Sequence, residues 1–270
     1  MSVLEVTRSG HVATLWLDNP KRRNALGIEI FEDLPLAVSD LDYDQDVRVI
    51  ILAARGEDFS VGLDLTGPMG EELGKYLQGG LAGQRQELYR DVHRLQRFCS
   101  CVAESRKPVL AAVHGWCIGG GLDLISACDV RYASSDAKVS LRETRMAMVA
   151  DLGSLQRLPF ILNQGVLREL AFTGRDFDAA EGERIGLFSR VFEDKETMLE
   201  EVMEIAQGMA TNSPLAVQGA KRILNKMWED KIEEMLDFVA LWNSAHLASE
   251  DLMEAMAAFV QKRKPEFKGK

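Results

Sequence analysis

The feature that most constrains this chain is a strand that runs into three consecutive glycines. Val109-Leu110-Ala111-Ala112-Val113 is a short apolar run, the mark of a buried strand. It continues through His114-Gly115-Trp116-Cys117-Ile118 to Gly119-Gly120-Gly121, and a helix is predicted to begin near Leu122. Glycines between a strand and a helix start let backbone N–H groups approach a ligand with no side chain in the way. The positive end of the helix dipole faces the same spot. Such a place suits a developing oxyanion, although a plain tight turn would use the same glycines. The spacing matches neither a Walker A loop nor the GxGxxG fingerprint.

The elements on either side of this block read as a mixed α/β chain. Leu4–Thr7 and Val12–Leu17 flank Ser9-Gly10 as a hairpin, and an apolar-periodic segment runs from Ile28 to Leu41. Val47–Ala53 reads as a second buried strand. Between Gly56 and Gly83 the glycines at 62, 67, 70, 74, 79 and 80, with Pro68, predict loop or cover. Leu88, Val92, Leu95, Cys99 and Val102 recur at helical spacing until Lys107-Pro108. Val130–Ala133 and Lys138–Leu141 read as further short strands. Beyond about residue 195 the pattern turns helical, at Met198–Ala210, Pro214–Trp228, Ile232–His246 and Asp251–Val260. The expected division is therefore a core over 1–195 and a helical region over 196–270.

Composition narrows the function classes. A chain of 270 residues, 46% hydrophobic, has material for a large core, and no apolar run approaches a membrane span. The formal charge of -10 disfavours non-specific nucleic-acid binding. Cys99, Cys101, Cys117 and Cys128 form no CxxC pair, and the four histidines lack metal-ligand spacing, so no metal is expected. Neither a secretory leader nor a Ser-Lys-Leu ending is seen, which makes the cytoplasm the expected location.

Three acids stand near the glycine block or after it. Asp123 falls in the first turn of the predicted helix, where an acid also complements the dipole. Glu143 follows a strand-like run, where a surface or Arg-paired acid is the ordinary reading. Asp151 precedes Leu152-Gly153-Ser154 and has the look of a helix N-cap. Singly, each is weak.

Together with their surroundings they resemble a known family. Lys107–Gly115, Cys117–Leu124 and Ala127–Tyr132 are similar to the signature block of the enoyl-CoA hydratase/isomerase (crotonase) family. Asp123 and the stretch Ala150–Pro159 resemble its delta(3,5),delta(2,4)-dienoyl-CoA isomerases, whereas hydratases carry Glu where Asp123 stands and usually Gly where Asp151 stands. The resemblance implies an α/β fold, a spiral of β-β-α units with a C-terminal helical trimerisation region. It implies an oxyanion hole from the backbone N–H groups of Leu63 and Gly120, and catalysis by Glu143 and Asp151 with Asp123 in support. A proton would leave C2 and another arrive at C6 of a 3,5-dienoyl-CoA thioester. Three acids in an apolar cleft should raise at least one pKa. For coenzyme A the resemblance points to Arg23 in the basic run Lys21-Arg22-Arg23, to Ser60, Gly62 and Asp64 in the segment Phe59–Leu65, and to Lys268. Coenzyme A is part of the substrate; no other cofactor is implied, and the expected assembly is a homotrimer or a dimer of trimers.

The sequence also departs from the family pattern. The segment Thr144–Ala150 is usually more apolar, with glycine in place of Ala147, and Arg145 stands close enough to Glu143 to pair with it. Enoyl-CoA hydration through Asp123 and Glu143, acyl-CoA hydrolysis or dehalogenation on the same fold, and a non-catalytic acyl-CoA-binding scaffold are the competing readings.

Overall fold

The computed structural model describes residues 3–76 and 80–270. Strands β1 (Leu4–Ser9) and β2 (Val12–Leu17) form the expected hairpin, followed by helix α1 (Ile28–Tyr43) and strand β3 (Val49–Ala54). Helices α2 (Pro68–Tyr76) and α3 (Ala82–Glu104) lead to β4 (Val109–Val113), β5 (Trp116–Ile118) and α4 (Gly120–Ser126). Then come β6 (Val130–Ser134), β7 (Lys138–Ser140), a 3₁₀ turn at Glu143–Met146, and α5 (Ser154–Arg157). The order continues with α6 (Gln164–Thr173), β8 (Asp176–Asp178), α7 (Ala179–Arg184) and β9 (Arg190–Phe192). Four helices close the chain: α8 (Lys195–Ala210), α9 (Pro214–Lys226), α10 (Glu229–His246) and α11 (Glu250–Gln261).

Six strands build the main sheet in the order β1-β2-β3-β4-β6-β9, antiparallel only at the β1–β2 hairpin. A second sheet, β5-β7-β8, stands on the continuation of β4. This is the β-β-α spiral that the sequence implied. The central strands β3 and β4 are buried at every position, which is why they read as unbroken apolar runs rather than alternating ones. On one face the residues Ile50, Leu52, Ala111 and Val113 join α1, α3 and α4 in the main core. On the other, Val49, Ile51, Leu110 and Ala112 meet Met198, Val202 and Ala206 of α8.

Three expectations need correction. The stretch between Gly56 and Gly83 is not loop throughout: α2 begins at Pro68, where the missing N–H costs a helix nothing, and α3 begins at Ala82. Gly79 lies outside the described residues. Strands β5, β8 and β9 were not anticipated, being three residues each and too short to show a period. The boundary after residue 195 falls at the start of α8, and α8 is the layer that covers one face of the main sheet, not part of a separate tail. Helix α10 also folds back onto α3, where Leu88 and Val92 pack against Ala240, Leu247 and Leu252 of α11.

Candidate active site

The glycine block does two jobs at once. Gly119 turns the chain with φ 53° and ψ -117°, and a Cβ built there would lie 3.0 Å from Glu143 Oε1. Only glycine both adopts this backbone and leaves Glu143 its place. Gly120 then opens α4, and no acceptor for its N–H is found among the described residues.

The partner segment comes from the other side. Leu26 N–H donates to Gly62 O at 2.8 Å and Asp64 N–H to Leu26 O at 3.0 Å, which pulls the chain into a short parallel bridge at Leu63. Gly62 has φ 84°, and a Cβ on it would sit 2.9 Å from Ile118 O and 3.8 Å from the Gly120 nitrogen. The Leu63 nitrogen is one peptide bond further on, so it lies within about 8 Å of the Gly120 nitrogen. The Leu63 N–H also has no acceptor among the described residues.

Both amides border a cleft of about 920 Å³ including its open mouth, otherwise lined mainly by apolar side chains such as Phe31, Met69, Leu88 and Val92. The three acids line the same cleft. Asp123 is almost fully buried, and its Oδ1 accepts from Ser154 N–H at 2.6 Å. The carboxylate that holds the start of α5 is therefore Asp123, and Asp151 is not the N-cap. Instead Asp151 Oδ2 accepts from Asn243 Nδ2 at 2.7 Å. Glu143 has one buried oxygen, Oε2, with no hydrogen-bond partner. Arg145 leaves it alone: that guanidinium donates to Thr173 O at 3.2 Å.

Electrostatics follow from this setting. Burial, with the Asp123 carboxylate next in weight, pushes the Glu143 carboxyl up to about 8. Burial also pushes Asp151 up to about 7, opposed by the Asn243 hydrogen bond and reinforced by Asp123. Asp123 itself is raised by burial against the pull of the Ser154 N–H. Two acids with proton affinities this close, and both near neutrality, can share one proton at working pH. The charged pair Arg94–Glu72, 3.8 Å apart, also contributes to the lining.

The residues expected at coenzyme A make the following contacts within the chain. Ser60 is fully buried; its hydroxyl donates to Asn24 O at 2.8 Å and accepts from Gly62 N–H, so it pins the loop. Gly62 supplies the turn just described, not the cleft's lining. Asp64 accepts from Arg22 at 2.7 Å and from Thr66, and it borders a second, polar cavity with Arg22, Asn19 and Asn24. Arg23 donates to Asp58 at 2.6 Å, and Asp58 also accepts from Trp116 N–H. Burial would raise the Asp58 carboxyl, but Arg23 and that N–H hold it below the usual carboxylate range. Lys268 is exposed, its backbone N–H on Asp251 at the start of α11. The sequence reading missed Asn243 and Gln96. The signal was present for the first: Asn243 sits at helical spacing in the buried stripe Leu236, Val239, Ala240. A polar residue in such a stripe needs a partner.

The chain's residues 7–270 match the family model described as enoyl-CoA hydratase/isomerase. The chain belongs to this family. A delta(3,5)-delta(2,4)-dienoyl-CoA isomerase of Arabidopsis thaliana, named as peroxisomal, is 42% identical over 267 residues, 99% of this chain and 96% of its own. One of Dictyostelium discoideum, named as mitochondrial, is 39% identical, covering 98% and 90%. A probable enoyl-CoA hydratase of Rhizobium meliloti is 35% identical, covering 98% and 97%. Among solved structures, an enoyl-CoA hydratase/isomerase from Pseudoalteromonas atlantica superposes with a TM-score of 0.84 at 28% identity, covering 98% of this chain and 100% of that one. The family fold is thus carried across nearly the whole of this enoyl-CoA hydratase/isomerase chain, and its described helices include none long and apolar enough to cross a membrane.

Proposed function

We propose that this family member isomerises 3,5-dienoyl-CoA to 2,4-dienoyl-CoA. The observation that carries the reading is the convergence of Glu143 and Asp151, both with raised proton affinity, on one apolar cleft. The names of the Arabidopsis and Dictyostelium relatives support it. A hydratase, by contrast, would have no use for Asp151.

The thioester carbonyl oxygen is assigned to the N–H groups of Leu63 and Gly120. One donor of this kind is worth roughly 100- to 1000-fold in rate. Glu143 packs against Gly119, next to Gly120, which supports its assignment to C2 of the bound acyl chain. In its ionised form it takes the C2 proton, and the electron pair moves into the dienolate held at the oxyanion. The charge delocalises along the conjugated chain to C6, where protonated Asp151 returns a proton. The C3 and C5 double bonds become C2 and C4 ones, atoms and electrons balance, and the enzyme ends with its single proton on Glu143 instead of Asp151. The reverse reaction uses that second arrangement. Asp123 holds the Gly153-Ser154 turn from below. The proposed chemistry moves protons only, and coenzyme A enters as part of the substrate.

Self-association belongs to the same proposal. Leu215, Ile223, Leu224 and Met227 of α9 and its end, and Phe238, Leu241 and Trp242 of α10, expose apolar surface that a cyclic trimer, alone or in stacked pairs, would cover. The expected cytoplasmic location stays open to fractionation, since named relatives are peroxisomal or mitochondrial. The deciding experiment is an ultraviolet assay on a 3,5-dienoyl-CoA beside a 2-enoyl-CoA hydration assay. We expect the first activity to dominate and to fall about 100- to 10,000-fold in Asp151→Asn. Hydration as the main activity, undiminished in that variant, would refute the reading.

A further inference from the structure

Asp151 is held by two amide side chains from outside its own segment. Gln96 of α3, buried, donates through Nε2 to Asp151 O at 2.9 Å and to Leu236 O at 3.0 Å. Asn243 of α10, also buried, donates through Nδ2 to Val149 O at 2.9 Å and to Asp151 Oδ2 at 2.7 Å. With both contacts made by the same nitrogen, the Asn243 amide has no freedom to flip. Turning its oxygen toward Asp151 would set oxygen against the Val149 carbonyl as well. It therefore always meets Asp151 as a donor.

We propose that Asn243 is a positioning residue for Asp151, whose amide occupies Oδ2 and so leaves Oδ1 as the oxygen that carries and transfers the proton. With Oδ2 engaged by the Asn243 amide, Oδ1 is the oxygen better placed to keep the hydrogen. No hydrogen bond from another residue reaches Oδ1 among the described residues, and the side chain lines the cleft. The catalytic consequence rests on the dienoyl isomerisation proposed above; the assignment of the proton does not.

The same contact tunes the acid. A donor on Oδ2 favours the ionised form, which offsets part of the burial that holds the proton on. The other charged groups facing Asp151 are Asp123 from α4 and Glu143 from the 3₁₀ turn. Glu72 of α2 and Asp91 and Arg94 of α3 line the same cleft, and α10 adds only Asn243 and Leu247 there. Asn243 is thus the group that keeps the proton affinity of Asp151 near neutrality, just below that of Glu143, against the upward push of burial. Matched affinities let the single proton pass between the two acids in either direction of the reaction.

The test reads the carboxyl group directly. Infrared titration of the carbonyl stretch of protonated carboxyls identifies the Asp151 band as the one missing from Asp151→Asn. In Asn243→Leu that band should titrate about one pH unit higher. The acid limb of the kcat/KM profile for a 3,5-dienoyl-CoA should move the same way, with kcat down about tenfold and KM little changed. Asn243→Ala, which keeps helix propensity and makes no steric demand, carries the test where the leucine variant does not fold. An unmoved Asp151 midpoint in both variants overturns the inference. A shifted midpoint in a protein whose wild type does not isomerise dienoyl-CoA upholds it and refutes the functional reading instead.

Discussion

The two ends of the cleft are built by different means. At the end proposed for the thioester the groups assigned are backbone N–H groups, and the residues that place them are glycines: Gly62 at φ 84° and Gly119 at φ 53°. At the acyl end they are side chains, with Glu143 and Asp151 on irregular chain, their supports arriving from α3 and α10. A backbone donor cannot change its charge and depends little on the identity of its own side chain. A buried carboxyl is sensitive to pH, to each neighbour and to the elements that carry those neighbours. The first end should therefore fail only when the chain path fails, and the second should be adjustable.

The largest expected effect lies at the acyl end. Glu143→Gln preserves shape and removes the proton acceptor proposed for C2, so dienoyl-CoA turnover should fall by roughly 100- to 10,000-fold. Circular dichroism and mass should remain those of the wild type. A loss of less than tenfold would mean that Glu143 is not the base.

At the thioester end the contrast is between a glycine and a side chain. Gly119→Ala demands a left-handed backbone from alanine and crowds Glu143 Oε1 at 3.0 Å. We expect about a 100-fold loss in kcat/KM with a lower melting temperature. Leu63→Met keeps the N–H and should stay within a few-fold of wild type. If the leucine variant is the more damaged of the two, that end is not backbone-built.

The pH dependence separates the ends again. Activity needs one proton on the Glu143–Asp151 pair, so kcat/KM should rise as pH climbs through about 7 and decline above about 8, with both limits belonging to the pair. Stability runs the other way. Both acids bind protons more tightly when folded than when unfolded, so the folded state holds more protons between about pH 4 and pH 8. Its stability is fully present below that window and is lost as pH rises across it. Glu143→Gln escapes the loss. It should unfold at higher denaturant than wild type at pH 8, by about 2 kcal/mol, and show no advantage at pH 4. An equal gain at both pH values would point to packing instead of charge.

How legible each end was follows from the same contrast. The turn from β5 into α4 could be read from Gly119-Gly120-Gly121 after a buried strand, because a glycine requirement is local and leaves its mark in consecutive residues. The buried runs of β3 and β4 and the periodicity of α1, α3 and the last four helices were legible for the same reason. Asp151 was ambiguous because a cap and an acid use the same side chain. The tertiary fact that Asp123 already holds Ser154 N–H removes the cap reading. Asn243 and Gln96 lie 92 and 55 residues from Asp151 in sequence, a separation that no local pattern reports. The bonds that Ser60 and Asp64 make within their loop were hidden for a related reason: they depend on a chain path that the sequence does not display.

The smallest predicted effect tests whether the linker between the two acids is under strain. Ala147 follows the 3₁₀ turn with φ 53° and ψ 33°, a left-handed conformation in which a Cβ crowds the backbone. The Ala147 N–H closes the turn on Thr144 O at 3.2 Å and Met148 N–H on Glu143 O at 3.1 Å, so the conformation is imposed by the turn that presents Glu143. Alanine there costs about 1 kcal/mol more than glycine would in the folded state. Glycine returns part of that through the freedom of its unfolded chain. Ala147 also packs lightly against the cluster of α3, α10 and α11, and losing one methyl there subtracts further. Strain should still prevail, so Ala147→Gly is expected to stabilise the protein by about 0.5 kcal/mol in urea unfolding, with dienoyl-CoA turnover changed by less than threefold. A destabilised variant would show that the methyl's packing outweighs the backbone cost, and that the acyl end is held by its side chains even where its backbone is strained.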